Sequence, residues 1–264
     1  MNILVCIKQV PDGASKLEID ASGKTIVEED LGWDINESDR YAVETALRIH
    51  EAGDGDGEVV VCTVGPDRAR KALMTALAMG CHRGIHLVGP EFQGGDPIAV
   101  ARSLEAVVRS EDFPLVLCGT RADDSGYGET PILLASRLDR PSVFLTIGVE
   151  LDAEKLSITR ELEAGKQELS EIPLPAVLAI QSGIHQVRYT SLKGITRAKR
   201  KPVAQPTATE LGLSDEQIGT SGSRLEVLEL KHPEAKGKCE FIEGDPEEVV
   251  RTLIDKLRRE AKVL

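Results

Sequence analysis

The first half of the chain alternates short apolar runs with stretches whose apolar residues recur every three or four positions. NILVCIKQ (2–9), EVVVCTVG (58–65), RGIHLVG (83–89) and PLVLCG (114–119) have the length and content of buried strands. Helical patterns lie between them. In SDRYAVETALRIHEAG (38–53), Tyr41, Ala42, Thr45, Ala46 and Ile49 share one face, with Ser38 placed as the cap and Gly53 as the stop. PDRARKALMTALAMG (66–80) opens on Pro66 and closes on Gly80, and DPIAVARSLEAVVRS (96–110) and GETPILLASRLD (128–139) complete the series. Strands separated by helices in this way predict βαβ units and a parallel sheet.

From about residue 143 the period shortens. SVFLTIGVELD, KLSITREL, KQELSEI and PAVLAIQSG (142–183) predict short strands joined by D-A-E-K and E-A-G-K turns, a β-meander that closes the sheet or lies beside it. QPTATELGLSDEQIGTSGS (205–223) reads as an extended arm, and DPEEVVRTLIDKLRREAKVL (245–264) as an amphipathic helix with Asp245 as cap and Pro246 in its first turn. The simplest division is a main domain over 1–200 and a C-terminal arm and helix over 201–264.

Composition narrows the class further. Aromatic residues make up 3% of a chain that is 41% hydrophobic, so the core must be aliphatic, which favours parallel strands under helices. A formal charge of -12 argues against nucleic acid and anionic membrane as general partners. No apolar run is long enough to span a membrane, and the N-terminus reads as a first strand rather than a signal peptide. Cys6, Cys62, Cys81, Cys118 and Cys239 never form a CxxC, and the five histidines are scattered. Buried thiols in a reducing, cytoplasmic compartment are expected, and neither a disulfide framework nor a metal site.

Ligands of open parallel sheets bind at the carboxyl ends of the strands. GxGxxG, GxxxxGK[ST], GxSxG and HExxH are all missing, which removes the NAD-type fingerprint and the common catalytic motifs. Four loops are left as candidates: 6–13, NESD (36–39), TVGP (63–66) and GTRADDSGYGET (119–130). In the last, backbone N–H groups at a helix start, with the Ser125, Tyr127 and Thr130 hydroxyls, could hold a phosphate or ribose, or could be an ordinary capped loop. Asp123 and Asp124 read more simply as a solvated turn than as an acid–base pair. One segment departs from the acidic background: between 188 and 201 stand Arg188, Lys193, Arg197, Lys199, Arg200 and Lys201 with no acidic residue. It lacks the interleaved aromatics of a nucleic-acid site, which leaves a solvated loop or a docking element in which Leu192 and Ile195 supply an apolar anchor inside a charged rim.

Four strings together have a familiar order: NILVCIKQVPD, N-x-x-D-R-Y-A-V-E-T-A-L-R-I (36–49), VGPDRARKALMTALAMGCHRGIHL (64–87) and LVLCGTRADDSG (115–126). With VRYTSLKGITRAKRKP (187–202), the chain resembles the beta subunit of electron transfer flavoproteins over nearly its whole length. The resemblance implies a Rossmann-like α/β fold of the adenine nucleotide alpha hydrolase-like class. It implies pairing with a larger alpha subunit that holds the redox FAD, and an adenine nucleotide in this subunit: AMP, or a second FAD in electron-bifurcating members. By motif the nucleotide should meet Cys6, Asn36, Asp39, Val64, Gly65 and the loop Arg121, Ala122, Asp123, Asp124, Ser125, Gly126, Tyr127, Gly128, Glu129 and Thr130. The recognition loop carries over as 184–197, with Arg188, Tyr189, Leu192, Ile195 and Arg197 facing the partner and Leu192 as its tip. The basic cluster from Lys199 to Lys201 then begins the arm that embraces the alpha subunit.

Two positions depart from the family pattern. Glu37 follows Asn36 where relatives have proline, and Glu129 stands where a neutral glutamine is usual, next to an expected phosphate. KQVPD and N-x-x-D-x-Y-A-x-E look more like the bifurcating members. The expected role is a carrier that takes electrons from a dehydrogenase, of acyl-CoA type, and passes them towards a quinone oxidoreductase. The alternatives are a bifurcating subunit oxidising NADH at a second FAD, and a universal-stress-type nucleotide-binding module.

Overall fold

The computed structural model describes residues 1–53, 55–152, 155–233 and 239–264. It begins with β1 (Ile3–Cys6), a ribbon of β2 (Gln9–Pro11) and β3 (Trp33–Ile35), and α1 (Glu37–Ala52). Strand–helix units follow: β4 (Val59–Val64) with α2 (Arg70–Met79), β5 (Arg83–Leu87) with α3 (Pro97–Ser110), and β6 (Leu115–Gly119) with α4 (Thr130–Leu138). Next come β7 (Ser142–Asp152), β8 (Lys155–Glu161), β9 (Gln167–Pro173) and β10 (Ala176–Ile180). The chain closes with α5 (Leu192–Ala198), β11 (Val203–Ala204), α6 (Gly219–Gly222) and α7 (Pro246–Arg259).

One sheet holds nine of these strands in the order β11-β5-β4-β1-β6-β10-β7-β8-β9, and β2 pairs with β3 apart from it. Seven strands run parallel; β8 and β9 are added antiparallel at one edge. This is the expected α/β architecture with two corrections. The apolar run at 175–183 is not part of the meander: β10 lies parallel between β6 and β7 with all five residues buried, as an apolar run without alternation requires. The first run also divides. Its sheet strand stops at Cys6, and Gln9–Pro11 turn away to pair with Trp33–Ile35. The centre of the D-A-E-K turn, Ala153 and Glu154, lies outside the described residues, whereas the E-A-G-K turn is present with Ala164 and Gly165 both left-handed.

The sheet is buried on both faces. Ile3 and Val5 of β1 meet Val43 and Leu47 of α1 and Leu73 and Leu77 of α2. Leu4, on the opposite face, joins Leu104 and Val107 of α3, Leu134 of α4 and Phe113. Cys6, Cys62, Cys81 and Cys118 are buried and free; Cys239 is exposed, against the expectation of buried thiols throughout. Among the described residues no helix is long and apolar enough to cross a membrane.

Residues after the basic segment pack closely at first. Lys201 donates to the Leu77 (2.9 Å), Gly80 (3.3 Å) and Cys81 carbonyls, so its ammonium caps the carboxyl end of α2. β11 extends the sheet, and Ala208 and Ile218 are buried against the α3 layer, so 203–222 are folded onto the body rather than extended. α7 starts where expected: Asp245 accepts from the Glu247 and Glu248 N–H groups, and Val250, Leu253 and Ile254 are exposed.

Candidate functional site

A cavity of about 380 Å³ opens at the carboxyl ends of β1, β4 and β6. Cys6, Asn36, Asp39 and Val64 reach its wall, as do Arg121, Ala122, Ser125, Tyr127, Gly128 and Thr130 of the long loop. Sequence-distant residues are brought together because adjacent parallel strands end at the same level: Cys62, Cys6 and Cys118 stand side by side in register. The other expected residues lie off the wall. Asp123 accepts from the Glu37 N–H (3.2 Å) and so caps α1 from a distant loop, while Asp124 pairs with Lys8 at 2.7 Å. Gly65 is fixed between its N–H bond to the Leu87 carbonyl (3.1 Å) and the His86 Nε2 contact to its own carbonyl (3.1 Å). Gly126 is left-handed at φ 69° with open space around it, and Glu129 is exposed at the start of α4. Glu129 therefore does not present its carboxylate on the cavity wall.

The first turn of α1 organises this end of the sheet. Ser38 is not the cap; Asn36 occupies the cap position, and both side chains turn to the long loop instead. Asn36 Nδ2 and Ser38 Oγ donate to the Arg121 carbonyl (2.9 and 3.0 Å), and Asn36 Oδ1 accepts from the Asp123 N–H (2.9 Å). Asp39 Oδ2 accepts from the Lys8 N–H (2.7 Å) and Oδ1 from the Gly119 N–H (3.1 Å), tying the ends of β1 and β6 to the helix. Its burial pushes the Asp39 carboxyl up to about 7, against the pull of these hydrogen bonds and of the Lys8 charge. Because the folded value lies above the unfolded one, the folded state holds this proton more tightly. This group's contribution to stability therefore falls as pH rises from about 4 to about 7, by at most about 1.4 kcal/mol per pH unit, and is flat outside that window. Urea unfolding of wild type and Asp39→Asn across pH 4–8 checks this: the variant is expected to be less stable, through a donor–donor clash with a backbone N–H, and to lose the slope.

The thiols are not poised to react. Burial lifts Cys62 to about 12. At Cys6 the Cys118 contact is the largest influence and pulls the thiol down, but burial and the Cys62 and Asp39 charges together leave it raised. Cys118 is raised by the same contact and then by burial. Among the described residues no group of three or more His, Cys, Asp and Glu is placed to hold a metal. What the cavity offers is a holding site lined by polar loops and by apolar side chains, among them Val64, Val100, Leu104 and Val227. These residues fit an adenine mononucleotide in size and chemistry.

Several wall residues escape a reading of motifs. Lys8 and Thr120 adjoin candidates already named. Gly94 to Asp96, with Pro97 at the start of α3, come from a strand-end loop with two glycines whose position alone is signal enough. Ser223, Leu225 and Val227 come from far along the chain, with no local pattern to mark them.

A second feature lies on the α2 side. The Ser191 side chain accepts from the Gly194 N–H (3.0 Å) and starts α5; Gly194 packs on the Ala78 carbonyl, where a Cβ would come within 2.6 Å. This seats the helix with Tyr189 93% and Leu192 83% exposed, Ile195 half-exposed beside them, and Lys193, Arg197, Lys199 and Arg200 in solvent. Arg188 differs: its guanidinium is bound to Glu44 and Glu51 of α1.

The sequence is similar to known proteins over nearly its whole length. An Electron transfer flavoprotein domain model matches residues 23–211. The chain is 36% identical to the electron transfer flavoprotein subunit beta of Methylophilus methylotrophus, over 96% of this chain and 97% of that one. It is 32% identical over the full length of both chains to the subunit beta of Bacillus subtilis. It is also 34% identical, over 98% of each chain, to the Caffeyl-CoA reductase-Etf complex subunit CarD of Acetobacterium woodii. With that identity and coverage, the chain belongs to the electron transfer flavoprotein family as a beta subunit.

Proposed function

We propose that this chain is the beta half of a cytoplasmic heterodimeric electron carrier, which takes electrons from an acyl-CoA-type dehydrogenase and passes them towards a quinone oxidoreductase. The redox FAD belongs mainly to the alpha subunit, and this chain supplies a platform and a docking element. AMP occupies the cavity of about 380 Å³ and holds the ends of β1, β4 and β6 together. The C-terminal helix α7, with its exposed apolar face, covers the alpha subunit. The observation that carries this reading is Leu192, a large apolar side chain 83% exposed on a short helix ringed by four solvated cations. Such an anchor gains its energy only when buried in a partner's pocket, while the rim charges steer an acidic partner. With the family established, the universal-stress alternative has no support.

The test uses the co-expressed heterodimer. Chromatography of released nucleotides is expected to give one FAD and one AMP; two FAD would favour the bifurcating reading, and a flavin-free homodimer would overturn both. Leu192→Ala is expected to slow flavin reduction by the dehydrogenase by 10- to 100-fold, about 1.4–2.7 kcal/mol, with flavin content unchanged. An unchanged reduction rate would remove the docking role.

A further inference from the structure

We propose that residues 223–231 are a strap that closes one wall of the nucleotide site, and that Leu225 and Val227 are the residues that retain the nucleotide; this rests on the adenine-nucleotide reading above. Four observations carry it. First, the strap has a firm base. Ile218, Gly219 and Gly222 are buried, Thr220 Oγ1 donates to the Gln93 carbonyl (3.1 Å), and Arg102 donates to the Gln217 carbonyl (3.2 Å). Second, beyond that base the hold is light. Among the described residues, the hydrogen bonds tying the strap to the body are Arg224 N–H to Asp96 Oδ2 (2.7 Å), Leu230 N–H to the Gly23 carbonyl (2.7 Å) and a solvent-exposed Lys24–Glu226 pair at 3.1 Å.

Third, the segment alternates. Leu225 and Val227 line the cavity, whereas Glu226 pairs outward with Lys24 and Leu228 is exposed. Period-two alternation is what an extended chain lying across an opening produces. Fourth, the two inward side chains are not buried by protein: Leu225 is 53% and Val227 44% exposed, although both belong to the wall. Their remaining apolar surface is available to a bound base or ribose, so ligand and strap stabilise each other. One end of the strap is latched at Asp96, the cap of α3, and the other at the 19–26 loop, so a nucleotide trapped behind it leaves only after these contacts open.

The test is an exchange experiment on the co-expressed heterodimer, loaded with radiolabelled AMP and chased with unlabelled AMP. The Leu225→Ser/Val227→Ser double variant is expected to release label about tenfold faster than wild type, and Leu228→Ser, on the outward side of the same strap, at the wild-type rate. Wild-type release from the double variant, with AMP bound, overturns the strap and leaves the nucleotide reading standing. Equal acceleration by Leu228→Ser overturns the assignment to the inward pair. Failure of the wild-type heterodimer to bind AMP at all overturns the nucleotide reading, and the inference with it.

Discussion

Gly119→Ala is expected to destabilise the protein by about 3–5 kcal/mol and to leave the purified heterodimer without the proposed nucleotide. Gly119 ends β6 directly beneath the first turn of α1. A Cβ there would fall on Ser38 Oγ and Asp39 Oδ1, with Asp39 N at 2.9 Å. None of these can give way cheaply. Ser38 Oγ is held by the Arg121 carbonyl, and Asp39 Oδ1 by the Gly119 N–H itself, so moving either breaks bonds in a buried place. Overpacking alone costs about 1–3 kcal/mol, and each buried partner left unsatisfied adds about as much. Gly126→Ala is the control in the same loop. Its φ of 69° costs about 1–2 kcal/mol in a residue with a Cβ, but nothing lies within 4 Å, so nucleotide should be kept. Denaturation midpoints and nucleotide content of the two variants decide the matter; equal losses would mean that backbone strain, not the Gly119 contact, governs the site.

Arg188→Ala is the second. Glu44 in the middle of α1 is 2% exposed, and it accepts from Arg188 Nε (2.7 Å), Arg188 N–H (3.1 Å) and Arg48 Nε (2.7 Å). Removing Arg188 leaves a buried carboxylate with Arg48 as its remaining cation, at a cost of about 2–4 kcal/mol. The sign of the pH dependence follows from the same contacts. Burial alone would raise the Glu44 carboxyl, but the Arg188 and Arg48 bonds outweigh it and hold it below the usual carboxylate range. A depressed carboxylate contributes stability above its unfolded value, about 4.3, and loses it as pH falls through the folded value. The gap between wild type and Arg188→Ala should therefore be full at pH 7 and close in acid below about pH 4. A gap that persists unchanged in acid would show that packing of the arginine, not its charge, was responsible. Because Arg188 precedes α5, the variant should also slow electron transfer from the proposed dehydrogenase partner while the flavin stays bound.

The parallel half of the fold is legible in sequence because its strands are unbroken apolar runs ending at glycine, proline or cap residues. The place of β10 is not legible, because five buried residues after Pro175 look the same whether the strand sits inside a parallel sheet or a meander. The β2–β3 ribbon left no trace, since three-residue strands separated by a long loop carry no period. For the site, strand-end residues such as Cys6 and Val64 could be placed from motifs. The helix-turn residues were visible but their partners were not: Ser38 reads as a cap in one dimension and as a bridge to Arg121 in three. The basic segment shows the limit most clearly. Six cations form one cluster in sequence, but the fold sorts them. Arg188 is committed to Glu44 and Glu51, Lys201 to carbonyls of α2, and Lys193, Arg197, Lys199 and Arg200 are left facing solvent around Leu192.

The β2–β3 ribbon has a spectroscopic consequence. It carries Trp33, the one tryptophan of the chain, with the Arg68 guanidinium 3.4 Å from the ring centroid. Arg68 also bonds Gln9 Oε1 (2.9 Å) and Glu28 (2.7 Å), joining the ribbon to the segment after β4. Indole emission from the isolated subunit therefore reports on this single junction. A change in its intensity or colour would register the loosening of the ribbon separately from the melting of the aliphatic sheet, which contains no tryptophan to report on it.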